Sequence, residues 1–491
     1  MWDIIVAVIC TLLAIYFWLT WNYNYWRKHG VPEIKATFPF GCMKDLILMR
    51  KHTGEVYADF YWKYPNEPAV GVYKLLNPQL VLRDKDLIKT VCVKEFNSFH
   101  DNEFEADPSV DPMIALNPFL AKGEEWKALR SFHSQNQSSG KIKGMFVLML
   151  DVCKDMIYFV EQNEGKPIEA KYFSGQYTTD VVASSIYGLK TNSFLDPKAE
   201  FRKMSAKLFE QSFSLRLYFL MLHFIPKLGK ILRMRFVSKE VSDFFIKVVA
   251  DLYEYRIKNK VKRSDFLQAM LDENLSSDKP KYTFEEITAH TMTFFIDGYE
   301  TSSTLMAYII YLLGLYPEHQ EKVRDEIQEV GQITYDEIHK LKYLDAVVNE
   351  TLRLYPPGLL LNRLCTKDII LKAGEKSYPI SKGMTVAMPV YAMHRDPAYF
   401  PDPEHFIPER FLEKQVPAEF LPFGMGPRAC LGSRFALTQV KTGIAHLVQN
   451  FKIFTKDSDG KLPTIDKHSS FLMPPKSGLW VKFESAKENT H

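Results

Sequence analysis

The sequence predicts a mainly helical α+β protein: a helix-rich domain with small β-sheets, preceded by an N-terminal transmembrane helix. A first observation is an uncharged, almost entirely apolar stretch from Ile4 to Trp21. A second is a helical pattern over roughly 284 to 316, which exceeds an ordinary globular helix and indicates the central helix of the fold. A third is that strand-like segments are few and short, as at 70–82 and 369–389.

The composition fits one large domain. With 491 residues, 46% of them hydrophobic, the chain can bury an extensive core. No Ser/Gly/Pro-rich linker divides the chain after residue 45, so residues 46–491 are predicted to form a single domain. The net charge of +3 gives no reason to propose a nucleic-acid partner. The six cysteines form no C-x-x-C pair and no zinc pattern, which indicates reduced thiols facing the cytosol.

The apolar N-terminus has three interpretations: a cleaved signal peptide, a buried core helix and a retained anchor. A cleaved signal ends in small residues, whereas bulky Trp and Tyr side chains follow here at 21–26. Such a cluster suits a membrane interface, and Arg27-Lys28-His29 places the rest of the chain on the cytosolic side. Residues 1–21 are therefore predicted to be a transmembrane signal-anchor, followed by a juxtamembrane linker at 22–45.

Periodicity predicts the remaining elements in chain order. Before the central helix they are a hairpin at 70–82, a short helix at 84–95, a proline-containing loop at 99–122, a helix around Trp126, helices at 143–163 and 175–190, and a core helix plus loop within 213–236. After it they are a helix at 341–355, strands at 369–389 with a turn at Lys382-Gly383, a last long helix to about Asn450, strand-like segments to Phe483, and a polar, disordered tail at 484–491.

A glycine-rich loop near the C-terminus carries a single cysteine. It reads Phe423-Gly424-Met425-Gly426-Pro427-Arg428-Ala429-Cys430-Leu431-Gly432, and a helical pattern follows. Glycines let a backbone approach a flat ligand closely, and a helix N-terminus favours the thiolate form of a cysteine. Arg428 adds positive charge, and Phe423 can shield the sulfur from water. These are the needs of a buried thiolate ligand to haem iron; the alternative is a structural cysteine in a turn.

The spacing of this loop resembles the haem-ligand signature of the cytochrome P450 superfamily, F-x-x-G-x-R-x-C-x-G. The resemblance implies the helix-rich fold of that superfamily, a haem b cofactor and Cys430 as the ligand of the iron. It also implies that Phe423, Gly426, Arg428 and Gly432 help to bind the cofactor.

A second motif lies inside the predicted central helix, at 294–303. Gly298 is unfavourable in a helix interior and suggests a local distortion there, and the Thr301 hydroxyl can bond a backbone carbonyl. An acid followed by Thr, beside a glycine, makes a site that can bind oxygen and water and relay protons. The motif resembles the superfamily pattern A/G-G-x-D/E-T. The resemblance implies that Thr301 supports oxygen activation, that Glu300 helps to deliver protons, and that Gly298 belongs to the catalytic site.

Asp297 departs from that pattern, because most relatives carry Ala or Gly over the haem at this position. A carboxylate in an apolar pocket is costly unless it is paired or protonated. Three interpretations remain open: Asp297 forms a local hydrogen bond and is inert, it lines the pocket and favours substrates with a donor or a positive charge, or it becomes ester-linked to a haem methyl, as Glu does in fatty-acid hydroxylating relatives.

Two further matches concern the haem carboxylates. Trp126 and Arg130 lie four residues apart on one helix face, which alone is compatible with an ordinary amphipathic helix. In the superfamily a W-x-x-x-R pair binds one haem propionate. By the same resemblance Arg363, after Pro356-Pro357, binds the other.

The last match is Glu350-Thr351-Leu352-Arg353 together with Pro408-Glu409-Arg410-Phe411. An acid and a base three residues apart on a helix usually form a solvated surface pair. The resemblance to the E-x-x-R and P-E-R-F set implies instead that Glu350, Arg353 and Arg410 form a buried structural network, which holds the cysteine loop.

The resemblance implies a microsomal monooxygenase, most like insect detoxification members, that inserts one atom of O2 into a lipophilic substrate such as a xenobiotic, steroid or fatty acid. It would be anchored in the endoplasmic reticulum membrane with its catalytic domain in the cytosol.

No flavin or nicotinamide fingerprint is present, so electrons must come from a partner. In anchored relatives this is the NADPH-dependent cytochrome P450 reductase, with cytochrome b5 as a second candidate donor. Lys122, Lys127, Lys141 and Lys143 are either its docking face or ordinary solvated lysines. The competing functions are a haem-thiolate isomerase or dehydratase, against which the Glu300-Thr301 pair argues, and a non-enzymatic haem carrier or sensor.

Overall fold

The computed structural model describes residues 2–196, 198–210, 212–263, 265–276, 280–412, 416–455, 460–468 and 472–486. Helices dominate it. In chain order the α-helices are α1 Trp2–Thr20, α2 Tyr25–Lys28, α3 Lys44–Ile47, α4 Thr53–Lys63, α5 Lys85–Lys89, α6 Pro112–Ala115, α7 Gly123–Gln135, α8 Ser139–Glu161, α9 Ala170–Tyr187, α10 Glu200–Lys207, α11 Phe213–Phe224, α12 Pro226–Ile231, α13 Lys239–Lys258, α14 Phe266–Leu275, α15 Phe284–Leu315, α16 Pro317–Val330, α17 Tyr335–Ile338, α18 Lys342–Leu354, α19 Val390–Met393 and α20 Ser433–Asn450. Short 3₁₀ turns lie at Trp21–Asn24, Phe96–Ser98, Pro408–Phe411 and Gly426–Arg428, and a π-helical turn lies at Thr90–Lys94.

The strands form three small sheets. They are β1 Ala69–Lys74, β2 Asn77–Leu82, β3 Ile168–Glu169, β4 Leu361–Leu364, β5 Ile369–Ala373, β6 Lys376–Ile380, β7 Thr385–Met388, β8 Phe451–Thr455 and β9 Trp480–Ser485. The largest sheet has the order β1-β2-β7-β4, in which only the β2–β7 pair is parallel. The others are β3-β9-β8 and the hairpin β5-β6. The predicted combination of many helices with small sheets is confirmed.

Helix α15 is the centre of the fold, as its length predicted. Its start is fixed by a capping box, in which the Thr283 hydroxyl accepts from the Glu286 backbone N–H and the Glu286 carboxylate accepts from that of Thr283. Most of its 32 residues are buried, and α9, α13 and α20 pack around it. A helix buried on nearly all sides can present residues to an internal site from a rigid support.

The predicted hairpin, the helix around Trp126, and the helices ending near 163, 190, 355 and 450 are all present within a few residues of their expected bounds. The helix expected at 84–95 is instead α5 followed by the π-helical turn. Asp84 caps α5 by accepting a hydrogen bond from the Leu87 backbone N–H at 2.8 Å. The Thr90 hydroxyl donates to the Asp86 carbonyl oxygen at 2.7 Å. Strand β9 runs to Ser485, and residues 487–491 of the expected tail lie outside the described part of the chain.

The segment expected to be mostly core, 213–236, is less buried than its composition suggested. In α11 only Tyr218 is buried, and α12 has no buried residue. Several large apolar side chains of this segment are exposed, namely Phe213, Ile225, Leu228, Ile231 and Leu232. The segment therefore contributes one face to the core and leaves its other face apolar and uncovered.

The N-terminal helical stretch Trp2–Lys28 is long and apolar enough to cross a membrane, and the described part of the chain holds no other such span. The aromatic cluster behind it differs from the expectation most clearly at Trp26. Trp26 is fully buried against β1, and its indole Nε1 donates to the Val72 carbonyl oxygen at 3.1 Å. A Cβ at Gly71 would lie 2.2 Å from the indole, so Trp26 belongs to the domain rather than to a membrane interface.

Candidate active site

The cysteine loop is held in a closed turn by its own backbone. The Cys430 N–H donates to the Phe423 carbonyl oxygen at 2.8 Å. Gly426 has a φ of +74°, and a Cβ there would lie 2.1 Å from the Cys92 carbonyl oxygen in the π-helical turn. Glycine is therefore required at 426 both for its backbone conformation and for its contact. Gly432, by contrast, has a φ of −84°, and no protein atom lies within 4 Å of a Cβ built on it.

The Cys430 thiol combines accessible surface with a densely packed environment. Its side chain is exposed to solvent, yet burial raises its pKa to about 11. The backbone N–H groups of Gly432 and Ser433 and the charge of Arg130 act in the opposite direction, as expected for a thiol at a helix N-terminus. Because the protein packs densely around the Cys430 sulfur, we infer that its accessible surface faces an internal space rather than the outer surface of the molecule.

Arg428 ties the cysteine loop to the segment 99–122. Its guanidinium donates to the carbonyl oxygens of His100 at 2.7 Å, Pro118 at 2.7 Å and Ala121 at 2.9 Å. Its only carboxylate contact among the described residues is Asp101 at 3.5 Å. The guanidinium also stacks 4.3 Å from the Trp126 ring, and burial lowers its pKa to about 10.

Three guanidinium groups and one indole converge beside the loop. Arg130 donates to the Ala429 carbonyl oxygen at 2.7 Å, and the charges of Arg130 and Arg363 both act on Arg428. Arg363 is buried, and its Nη1 donates to Asn102 Oδ1 and to the Asn362 carbonyl oxygen. Arg363 Nε and Trp126 Nε1 are buried without any partner among the described residues. Buried donors that lack acceptors in a cationic cluster fit an anionic ligand.

The central helix passes the other side of this space. The Thr301 hydroxyl donates to the Asp297 carbonyl oxygen at 2.7 Å, and Gln439 Nε2 donates to the Gly298 carbonyl oxygen at 3.1 Å. The expected distortion does not interrupt the helix, which stays α-helical from Phe284 to Leu315. A Cβ at Gly298 would make only ordinary contact, 3.5 Å from Val182, so no crowding forces the backbone out of its helical path.

Glu300 is paired, rather than free. Lys171, near the start of α9, donates to its carboxylate at 2.9 Å and to the Ser303 hydroxyl at 2.8 Å. Both partners are partly buried, with side chains 20% and 14% exposed. The lysine therefore holds the carboxylate in place one residue before Thr301.

Asp297 is exposed to the same kind of internal space as Cys430. Burial raises its pKa to about 6, and a hydrogen bond from Asn117 Nδ2 to its Oδ1, 3.1 Å long, acts in the opposite direction. Its charge acts on the Cys430 thiol, so the two side chains lie near each other. The local hydrogen bond of the first interpretation is present; it does not by itself exclude the other two.

The predicted structural network is buried. Arg353 Nε and Nη2 each donate to one oxygen of the Glu350 carboxylate at 2.8 Å, and both side chains are fully buried. Arg410 Nε lies 3.4 Å from the same carboxylate. Arg353 also donates to three carbonyl oxygens, those of His394, Pro403 and His405. The pair is thus satisfied at both ends, which a buried ion pair needs.

His394 connects this network to the cysteine loop through two hydrogen bonds. Its carbonyl oxygen binds Arg353, and its ring Nε2 accepts from the Leu421 backbone N–H at 2.9 Å. Burial and the charges of Arg353 and Arg395 lower the pKa of His394 to about 3, so the ring stays neutral and able to accept. Leu421 lies two residues before Phe423.

Sequence reasoning missed several residues that complete the site. They are Asn117, Lys171, His394 and Gln439, each of which contacts a motif residue far away in the chain. None stands in a recognisable local pattern, because each acts through a contact that only the fold creates.

The residues present fit a haem. A cysteine sulfur with accessible surface lies beside a cationic cluster with unpaired donors and near Asp297 of the central helix, one turn before the Thr301 hydroxyl. A thiolate can ligate iron, and the cluster suits two carboxylates.

Comparison with known proteins agrees with this fit. The family profile described as Cytochrome P450 matches residues 32–481. The chain is 34% identical to "Cytochrome P450 9e2" of Blattella germanica, with 99% of this chain and 98% of the relative covered. It is 33% identical to "Probable cytochrome P450 28a5" of Drosophila melanogaster, covering 96% and 97%. It is 34% identical to "Probable cytochrome P450 6a20" of the same fly, covering 97% and 99%.

Proposed function

The chain belongs to the cytochrome P450 family, and from that premise we propose that this monooxygenase oxidises a lipophilic small molecule with electrons that NADPH supplies through a reductase. The single observation that carries the proposal is the inward-facing Cys430 sulfur opposite the Asp297–Thr301 turn of α15. Isomerases with the same ligand need no oxygen relay, and the Glu300–Lys171 pair beside Thr301 favours a proton-consuming reaction.

Each residue has a defined part in holding the haem. Cys430 would ligate the iron of a bound haem, and Trp126 Nε1, Arg130, Arg363 and Arg428 would bind its carboxylates. Gly426 lets the loop close, and Phe423 and Gly432 flank the sulfur. When bound, the haem supplies the iron at which O2 is activated, and electron donation from the thiolate favours O–O cleavage.

The side chains of α15 bind and transfer protons. The Thr301 hydroxyl donates its proton to the Asp297 carbonyl oxygen, so its oxygen is left to act as an acceptor. Glu300, held by Lys171, accepts protons from solvent and passes them toward Thr301 Oγ1. Gly298 adds no side chain to the helix one turn before Ser302, beside Val182 and Phe435. Glu350, Arg353 and Arg410 act only by holding the loop.

The N-terminal helix is consistent with membrane anchoring. We place the anchor in the endoplasmic reticulum membrane, with the catalytic domain in the cytosol, because Arg27-Lys28-His29 follows the apolar stretch. Residues 1–21 would then be the anchor, 22–45 a joining segment that packs on the domain through Trp26, and 46–491 the remainder of the catalytic domain.

The reductase, or cytochrome b5, would dock where Lys122, Lys127, Lys141 and Lys143 lie. Three of these lysines already have acidic neighbours, Glu105 at 2.5 Å, Glu124 at 2.6 Å and Asp336 at 2.8 Å. Lys141 forms no ion pair with any described residue. We therefore expect charge reversal at Lys141 to weaken reductase binding more than reversal at Lys127, in titrations of turnover rate against reductase.

The experiment that tests the proposal is the carbon monoxide difference spectrum of the reduced protein. Wild type should show the strongly red-shifted Soret band of thiolate ligation, and Cys430→Ser should lose it. Cys153→Ser, a buried cysteine remote from the loop, is the matched control and should keep the band. A globin-like band in wild type would withdraw the monooxygenase proposal, and a thiolate band without NADPH-dependent, reductase-supported turnover of any lipophilic substrate would favour an isomerase or a haem carrier.

A further inference from the structure

Asp297 places a carboxylate where the substrate of a cytochrome P450 must come. It lies one helical turn before Thr301, whose hydroxyl binds its carbonyl oxygen, and its charge acts on the Cys430 thiol. The side chain has accessible surface. Apolar side chains pack beside the next residue of the helix, since a Cβ built on Gly298 would lie 3.5 Å from Val182 and 3.9 Å from Phe435. The carboxylate is thus a polar group next to an apolar surface.

The residues that the structure describes bond only one oxygen of this carboxylate. Oδ1 accepts from Asn117 Nδ2 at 3.1 Å. The Asn117 amide cannot turn freely, because its Oδ1 accepts from the Phe119 backbone N–H at 2.8 Å and its side chain is buried. Asn117 therefore presents its donor to Asp297 and leaves Oδ2 without a partner among the described residues.

The carboxylate also has no counter-ion within the described part of the chain. None of the ion pairs formed by described residues includes Asp297, and the groups that face it are the neutral Asn117 amide and the Cys430 thiol. In contrast, the next acid along the helix, Glu300, has its own lysine. A carboxylate with neither water nor a cation is costly in an apolar site, so an apolar substrate that covers Asp297 loses binding energy, whereas a substrate that brings a cation gains a charge-assisted hydrogen bond.

We propose that Asp297, oriented by Asn117, is a recognition point for a protonated amine, and that the substrates of this enzyme are lipophilic amines. The inference rests on the proposed function, because it assigns the substrate class of the same site. Discrimination of this kind is effective because a site built around a polar group rejects analogues that leave the group unpaired. Asn117 acts as a positioning residue, since its amide bonds the carboxylate and would not touch the substrate.

The test is an optical binding titration of the full-length, haem-loaded ferric enzyme with a matched pair of ligands. One is a tertiary arylalkylamine, too hindered at nitrogen to ligate iron readily, and the other is its isostere with carbon in place of nitrogen. Wild type should bind the amine roughly tenfold more tightly than the isostere, which is the size of one charge-assisted hydrogen bond. Asp297→Asn should abolish this ratio by weakening the amine alone.

Asp325→Asn, which removes an exposed acid on α16, is the charge-matched control and should keep the ratio. Asn117→Ala should lower the ratio without abolishing it.

An equal change for amine and isostere in Asp297→Asn, or no change, would overturn the proposal. So would haem that resists acid extraction from wild type but not from Asp297→Asn, because the carboxylate would then be ester-linked to the cofactor. A normal carbon monoxide spectrum in each variant shows that its haem centre is intact, so a changed binding ratio then concerns the substrate alone. Failure of the monooxygenase proposal would instead show in wild type, as an abnormal carbon monoxide spectrum.

Discussion

At the scale of single residues, the site is recognisable by side chains whose bonding is incomplete. Trp126 Nε1 and Arg363 Nε are buried donors with no described partner, and Asp297 uses one of its two oxygens. Buried polar groups are almost always satisfied in a folded protein. Many other buried atoms also lack a described partner, but these two donors belong to the cationic cluster beside the cysteine loop, where an anion would complete their bonding. Asp297 has accessible surface instead, and a cation would complete its bonding.

Trp126 provides the clearest test at this scale. Trp126→Phe removes the indole N–H and keeps an aromatic ring beneath Arg428. Because one hydrogen bond to the haem is lost, haem should dissociate roughly three- to tenfold faster, which corresponds to about 0.5–1.5 kcal/mol. The rate is measured as transfer of haem to a scavenging apoprotein.

Trp62→Phe is the matched control for that measurement, because Trp62 is an exposed indole on α4. Its haem should dissociate at the wild-type rate. If both variants keep the wild-type rate, Trp126 does not bind the cofactor and its unpaired N–H needs another explanation.

At the scale of elements, the cysteine loop depends on a neighbour that the motif does not contain. The π-helical turn Thr90–Lys94 brings the Cys92 carbonyl oxygen against Gly426, and His394 holds Leu421 at the other end of the loop. The loop is therefore clamped from two sides, and its shape does not depend on the cofactor alone.

Gly426→Ala should break this clamp. A Cβ at 426 would lie 2.1 Å from a backbone oxygen, in addition to the strain of a φ of +74°. We expect most of the protein to be purified without haem and the remainder to lack a red-shifted carbon monoxide band. Gly331→Ala is the control, because Gly331 has the same φ of +74° but nothing within 4 Å of a Cβ.

The control variant should lose only about 1 kcal/mol, the conformational cost of a residue other than glycine at positive φ, with its spectrum unchanged. Measurements of haem content and of the urea midpoint separate the two effects. Full haem content in Gly426→Ala would show that the loop tolerates displacement of the π-helical turn.

The elements and the motif residues could be predicted from the sequence, because helix periodicity and motif spacing are local signals. Helix α15 and the Glu350–Arg353 pair were expected and are present. The contacts between distant segments were not predictable. Lys171 meets Glu300 across 129 positions and Asn117 meets Asp297 across 180, and no local pattern marks either partner. Core packing was favoured for most of 213–236, over the membrane-dipping substrate entrance that this region forms in anchored relatives. Composition could not decide between the two, because it cannot distinguish core from uncovered apolar surface.

At the scale of the whole molecule, the chain between the anchor and the first sheet is part of the domain. Besides Trp26, the Tyr23 hydroxyl donates to the Leu75 carbonyl oxygen and the Tyr25 hydroxyl to that of Pro379, both at 3.0 Å. Ile34 N–H donates to the Gly71 carbonyl oxygen at 2.9 Å, and Gly71 N–H donates to that of Pro32 at 2.8 Å. The N-terminal helix is thereby attached to the catalytic domain through a short, ordered segment, which limits how the domain can turn relative to a membrane.

Trp26→Ala tests this attachment. Removing a fully buried indole that covers Gly71 and donates to Val72 should destabilise the domain by about 3–5 kcal/mol. Trp21→Ala is the matched control: its indole is 72% exposed, so its removal should leave the urea midpoint unchanged while weakening association with lipid vesicles. Deletion of residues 2–20 should likewise preserve the midpoint and the carbon monoxide spectrum. Equal midpoints for Trp26→Ala and Trp21→Ala would mean that Trp26 lies in the membrane interface, as the sequence alone suggested, and that the domain begins after it.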